Sequence, residues 1–290
     1  GRPLSPAYKI TTTDKQGRFV IEKRIFTDPD RQALFLRVTV RALKGPVTPY
    51  LLLEPHMANT GSGDASAATK TALTANEAGV FLTLKGSQPF AAASAGFLGA
   101  SDGLTDLKTD GKLDNLYAST GADRGAIMLT GQLPKIAQGE VTIDYAIGFG
   151  PTAAASAKAA KGALKTGYAE VLARYNGEGA RVGWEDYLAS LTELPRLRAA
   201  SMDGGRLVQA SAMMLKVQED RTYAGALIAS LSNPWGDSVD ASKPSTGYKA
   251  VWPRDFYQCA MALAALGDKE TPLAAFHYLP TVQVGPKTPG

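Results

Sequence analysis

The residues best suited to chemistry lie between Tyr223 and Asp255. The stretch reads Tyr-Ala-Gly-Ala-Leu-Ile-Ala-Ser-Leu-Ser-Asn-Pro-Trp-Gly over 223–236, then a polar loop, then Gly-Tyr-Lys-Ala-Val-Trp-Pro-Arg-Asp over 247–255. Loops rich in Gly, Ser and Pro are normally polar surface. This one carries Trp235, Tyr248 and Trp252, and Arg254 and Asp255 follow at a helix start. A flat aromatic ring can cover the C–H face of a sugar, burying apolar area while leaving the hydroxyls free. Arg254 offers a planar fork of donors and Asp255 only acceptors, so together they can read the hydrogens and lone pairs of vicinal hydroxyls. Asp255, in a first helical turn, is also favoured as the anion by the helix dipole. The competing assignment is a capped helix with a structural Arg–Asp pair.

The other candidate motifs are weaker. Gly61-Ser62-Gly63 completes neither phosphate-binding glycine pattern and reads as a surface loop. Asp106, Asp110, Gly111 and Asp114 resemble a calcium loop, but Lys108 and Tyr117 stand where ligands are needed. His56 follows Glu54-Pro55 at a strand end and reads as a hydrogen-bonded structural residue. Cys259 shares an apolar face with Leu263 and Leu266, where a thiol is inert packing. One cysteine excludes an internal disulfide and a CxxC metal site, and two histidines, His56 and His277, make a His-rich metal centre an unsuitable reading. No metal or cofactor is expected.

Composition bounds the rest. The chain has 290 residues, 44% hydrophobic and 20% charged, which is ordinary for a globular protein of about two domains. Its 31 basic and 27 acidic residues leave a net charge of +4. The basic residues do not cluster, so neither nucleic acid nor a membrane surface is an expected partner. No apolar run approaches the ~18 residues of a membrane span.

Two periods divide the chain. Leu34, Leu36, Val38 and Val40 alternate with Phe35, Arg37, Thr39 and Arg41, the pattern of a strand with one buried face. Similar runs at Tyr8–Thr13, Arg18–Phe26, Tyr50–Glu54, Val80–Lys85, Ala126–Thr130 and Val141–Phe149, separated by turn residues, predict an antiparallel β-sandwich over 1–150. After Gly150-Pro151 the period becomes helical. Leu164, Tyr168, Val171 and Tyr175 form one stripe of a helix beginning near Thr152 and ending at Asn176-Gly177. A short helix follows at Trp184–Leu191, and Leu194-Pro195 should break the chain again. Residues 151–204 therefore read as a helical linker. From 205 to 290 the pattern is helix upon helix: one marked by Leu207, Ala210, Met214 and Val217, one from Pro253 to Gly267, and one started by Thr271-Pro272.

The segment from Ala224 to Asp268 resembles the start of the catalytic domain of bacterial glucoamylases and glucodextranases, the family 15 glycoside hydrolases. Ala226-Leu227-Ile228-Ala229-Ser230 and Gly247-Tyr248 through Val251-Trp252-Pro253-Arg254-Asp255 carry the resemblance. The order of β half, helical linker and helices is similar to those enzymes too, which place a β-sandwich ahead of an (α/α)6 barrel. The resemblance implies that Tyr248 and Trp252 line the pocket for the terminal glucose and that Arg254 and Asp255 bond its hydroxyls. It implies an inverting, exo-acting reaction on α-glucans or maltooligosaccharides, with two carboxyl groups about 6.5–9.5 Å apart acting as acid and base. Within the family, a glucodextranase or a trehalase would share the glucose subsite. A carbohydrate-binding protein without catalysis is the alternative of a different class.

The family's catalytic glutamates lie beyond the Trp-Pro-Arg-Asp segment, so no catalytic residue is expected within these 290 residues. Twelve barrel helices need roughly 200–300 residues. The chain thus reads as an internal piece of a larger enzyme, whose remaining part would be its partner. By analogy that enzyme is secreted or periplasmic.

Overall fold

A computed structural model describes residues 5–178, 182–231, 248 and 250–283. They fall into two compact units, one over Ala7–Tyr175 and one made mainly of the chain from Asn176 onward.

The first unit is built on ten strands: β1 (Tyr8–Thr13), β2 (Phe19–Thr27), β3 (Ala33–Ala42), β4 (Tyr50–Leu53), β5 (Ala65–Thr69), β6 (Ala72–Glu77), β7 (Val80–Gly86), β8 (Ala92–Phe97), β9 (Ile127–Gln132) and β10 (Gly139–Gly150). Seven form one sheet in the order β1-β2-β3-β10-β7-β6-β5, and three form a second, β4-β9-β8, with every pairing antiparallel. Leu73, Leu82, Leu84, Ile143 and Tyr145 of the large sheet share one core with Ala95, Ile127 and Leu129 of the small one. That shared core makes the pair a sandwich, as the alternating runs predict.

The large sheet is covered on its other face as well. Helix α2 (Ala153–Thr166) lies there and buries Ser156, Ala160 and Ala163, a stripe of small side chains that lets it come close. Ser156 Oγ meets Thr83 Oγ1 of β7 at 2.8 Å. Helix α3 (Tyr168–Asn176) continues the cover: Tyr168 and Tyr175 pack on Phe26 and Phe35, and the Arg37 guanidinium sits 3.7 Å from the Tyr168 ring centroid. This corrects the one-faced reading of β3, because Phe35 is fully buried on the face opposite Leu34, Leu36 and Val38. Gly167, with φ +86°, splits the expected single helix into α2 and α3. The stretch 151–204 is thereby divided, its first helices belonging with the β unit and its later ones with the helical unit.

Strands β5, β6 and β8 are absent from the sequence reading. They are rich in Ala, Ser, Thr and Asn and lack the large apolar alternation that signals a strand, so their pairing partners specify them. The short helix α1 (Gly103–Asp110) is absent from it too, although Asp102 caps it by accepting from Leu104 N and Thr105 N.

The second unit contains α4 (Trp184–Ser190), α5 (Leu194–Ala199), α6 (Arg206–Lys216), α7 (Pro253–Ala265) and α8 (Glu270–Val282). Among its described residues no strand occurs, only an isolated bridge between Glu219 and Leu227. Pro195 opens α5 instead of ending a helix, because a first-turn residue has no use for its N–H. Helix α6 buries Gln209, Ala212 and Met213, whereas Leu207 and Met214 of the expected stripe are exposed. The helix is apolar on two sides, and the Leu188, Leu191 and Leu194 cluster selects the face that carries Met213. Lys269, not Thr271, is the N-cap position of α8, and Asp268 just before it accepts from Glu270 N at 3.1 Å and Thr271 N at 2.9 Å. No helix among the described residues is long and apolar enough to cross a membrane.

Candidate functional site

The two halves of the chemistry-bearing stretch lie side by side. Ser230 N donates to the Tyr248 carbonyl at 2.8 Å and Ala229 N to the Ala250 carbonyl at 3.0 Å. The Ala226-to-Ser230 strip is itself held from the other side: Ala226 O accepts from Asp220 N at 2.9 Å, and Ile228 N donates to Gln218 O at 3.0 Å. Leu227 anchors it in the core with Phe256, Cys259 and Leu263. Trp235 and Gly247 lie outside the described residues.

Past Ala250 the chain turns into α7. Trp252 has extended backbone, with φ −97° and ψ 131°, and Pro253 fills the first helical position. The buried Phe256 fixes the first turn from inside, with its N–H donating to the Trp252 carbonyl at 2.8 Å. Tyr248 and Trp252 are 41% and 50% exposed, high values for aromatic rings this close to a core. Arg254 is exposed and Asp255 half-buried in the same turn. Among the described residues no hydrogen bond or ion pair joins Arg254 to Asp255, so the structural Arg–Asp pair that competed with a binding role is not formed. The start of α7 thus carries an exposed Trp252, an exposed Arg254 and a half-buried Asp255, with the exposed Tyr248 four residues before Trp252 in the chain.

The remaining candidates resolve as structural features. Cys259 is buried, its Sγ faces Leu215 O at 3.7 Å, and desolvation pushes its pKa up. Asp106 spends its carboxylate on Asp114 N, Asn115 N and Asn115 Nδ2 at 2.7, 2.9 and 2.8 Å, which closes a loop. His56 Nε2 is 3.5 Å from Glu54 Oε1. Gly61-Ser62-Gly63 is a bend leading into β5. Among the described residues no cluster of three metal-ligating side chains exists. An open cavity of about 720 Å³ lies between Tyr223-Ala224 and the Ala274–Val282 side of α8, and none of the four sequence-selected residues lines it. Sequence reasoning passes over a polar cluster of Lys216, Glu219, Asp268 and Thr271, whose sequence trace is a single i,i+3 Lys–Glu spacing.

Comparison with known proteins accords with this architecture. Residues 2–189 match the family model for "Glucodextranase, domain N", and residues 203–283 match "Glycosyl hydrolases family 15". A glucoamylase from Clostridium sp. (strain G0005) is 32% identical over 287 residues, covering 96% of this chain and 38% of that protein. A crystal structure of a bacterial glucoamylase complexed with acarbose superposes with a TM-score of 0.81 at 30% identity, covering 96% of this chain and 40% of the other. The chain thus spans well under half the length of the proteins it matches. With one family model covering its β half and the helices that follow, the chain belongs to the glucodextranase domain N family, and the helices that present Trp252 and Arg254 lie in the stretch that matches the family 15 glycosyl hydrolases.

Proposed function

We propose that this chain is part of an inverting, exo-acting glucoside hydrolase that releases glucose from the non-reducing ends of α-glucans. The observation that carries the reading is the start of α7, where exposed Tyr248 and Trp252 accompany an Arg254 and an Asp255 that are not committed to each other. Trp252 and Tyr248 cover the apolar faces of the terminal glucose, while Arg254 donates to its hydroxyl oxygens and Asp255 accepts their hydrogens. Such a reaction needs a general acid and a base that activates water, and neither role falls to these four residues. Polymeric glucan does not cross membranes, so the enzyme acts outside the cytoplasm.

A second substrate has specific support: the family model over residues 2–189 is named for a glucodextranase, which favours α-1,6-linked glucan as the rival to α-1,4. The test uses the complete enzyme with maltooligosaccharides and isomaltooligosaccharides, following the anomeric form of the glucose released. Initial release of the β-anomer, with preference for one of the two linkages, is the expected result. No glucose from either series, with sugar binding retained, would establish a carbohydrate-binding protein instead.

A further inference from the structure

The site's backbone strip is pinned by a side-chain network that starts at the end of α6. Lys216 Nζ bonds Glu219 Oε2 at 2.5 Å and Thr271 Oγ1 at 2.7 Å, and lies 5.5 Å from the Tyr187 ring centroid. The lysine and glutamate side chains are 28% and 16% exposed. Thr271 in turn donates to Asp268 Oδ2 at 2.7 Å, an oxygen that also accepts from Tyr187 OH at 3.2 Å. The other oxygen of Glu219, Oε1, accepts from Gly225 N at 2.9 Å, so one carboxylate ties the ammonium to a backbone amide.

Gly225 is the sharp point of the turn. Its φ is +81°, and a Cβ there would stand 2.2 Å from the Ala274 carbonyl oxygen. The turn therefore lies flat on α8 only as glycine, and Glu219 holds its amide in place. The next residues are the strip from Ala226 to Ser230, whose far end hydrogen-bonds the backbone of Tyr248 and Ala250. A continuous path thus runs from the Lys216 ammonium through Glu219 and the Gly225 amide to the segment that presents Tyr248 and Trp252.

We propose that Lys216, acting through Glu219 and the Gly225 turn, is a positioning residue that sets the placement of the Tyr248–Trp252 segment. The proposal rests on the reading of that segment as the glucose subsite. Lys216 touches no sugar. Its ammonium aims the half-buried Glu219, because a carboxylate has one oxygen for the ammonium and the other for the Gly225 amide. Without the ammonium, Glu219 is a poorly compensated charge and turns outward, releasing Gly225 N. The apolar anchors Leu227 and Phe256 remain, so the fold persists while the strip shifts. Small displacements of positioning groups remote from the chemistry cost up to about 100-fold in rate.

The experiment compares Lys216→Met, Lys216→Arg and Glu219→Gln in the complete enzyme with Leu191→Ala, a core substitution in the same unit outside the network. Amide hydrogen exchange and kcat/KM on maltose are measured well below each Tm. Expected are faster exchange at Gly225, Ala229 and Ser230 and a kcat/KM loss of about 10- to 100-fold for Lys216→Met. Glu219→Gln should move in the same direction, and Lys216→Arg should restore most of both. Leu191→Ala should lower Tm without either effect. If Lys216→Met does not fold, Glu219→Gln carries the comparison. Unchanged exchange at these amides, or kcat/KM within twofold of wild type while Arg254→Ala is crippled, overturns the positioning role. If Arg254→Ala and Trp252→Ala also keep full activity, the failure lies in the assignment of the glucose subsite, and the proposal falls with it.

Discussion

Asp64 sets a test of the β unit that does not involve the sugar site. Its side chain is completely buried, and its carboxyl lies against that of Glu77 and the Met57 amide without a well-formed hydrogen bond to either oxygen. Burial first, and the Glu77 charge second, push its pKa up to about 7 from 3.8. His56, the other charged neighbour, opposes this. Since the folded state holds this proton and the unfolded chain releases it near 3.8, stability is full below that pH. It then falls by about 1.36 kcal/mol per pH unit until the folded carboxyl also ionises, and is flat above. The rise from 3.8 to about 7 sets a ceiling of roughly 4 kcal/mol, and relaxation with water entry reduces it to about 2–4 kcal/mol. Asp64→Asn keeps the shape of the neutral acid and supplies an amide donor to Glu77. It should equal wild type near pH ~4 and exceed it by that margin near pH ~8. Urea unfolding followed by far-UV circular dichroism, with hydrogen exchange at the bridged Asp64 and Gly125 amides to isolate this unit, measures the difference. His56→Gln serves as a control for the imidazole's own titration. Parallel wild-type and Asp64→Asn curves from about pH 5 to about pH 8 would refute the reasoning. Stabilisation by calcium that Asp64→Asn abolishes would show that a cation, not a proton, separates the two carboxyls.

Other expected outcomes follow from the same geometry. Gly225→Ala places a Cβ against the Ala274 carbonyl at positive φ and should destabilise the helical unit by about 3 kcal/mol or more, read as a fall in its Tm. Tyr168→Ala removes the ring that packs on Phe26, Phe35 and Arg37, and should cost the β unit about 2–4 kcal/mol in urea unfolding while Tyr168→Phe costs under about 1. Asp102→Ala strips α1 of its cap and of bonds from Gly99 N and Thr105 Oγ1, a loss of about 2 kcal/mol at neutral pH. Burial raises the Asp102 pKa, but these bonds outweigh it and hold the carboxyl below the usual range, so part of its contribution should be lost as pH falls through that lowered pKa, and the mutant and wild-type curves should draw closer there.

The fold is legible where one residue type dominates one period. The alternation at Leu34–Val40 places β3, and Pro253 with the apolar positions after it places α7, within a residue or two. Legibility fails where a neighbour supplies the specification. Ala65–Thr69 and Ala92–Phe97 have small side chains that become strands because β6 and β9 pair with them, and no property of either segment alone announces this. Phe35 looks like an outward residue until α3 covers it with Tyr168. Helix α6 carries two apolar stripes, and only the position of Leu188 and Leu191 chooses between them.

The candidate site shows the same division at the scale of single side chains. Tyr248, Trp252, Arg254 and Asp255 can be selected because aromatic rings beside charges in a Gly- and Pro-rich loop are chemically conspicuous, and the fold keeps all four accessible or half-exposed. The residues that orient them are inconspicuous: Lys216 reads as an ordinary helix-end lysine and Glu219 as its i,i+3 partner. Their importance arises from which backbone amide the glutamate meets, Gly225 N, and that meeting depends on α8 lying beneath the turn. Recognition chemistry is therefore written in residue types, whereas positioning is written in long-range contacts such as the 55-residue separation of Lys216 and Thr271. If the proposed glucose subsite is right, an alteration of the first kind changes which hydroxyls are read, and one of the second kind changes how well any of them is held.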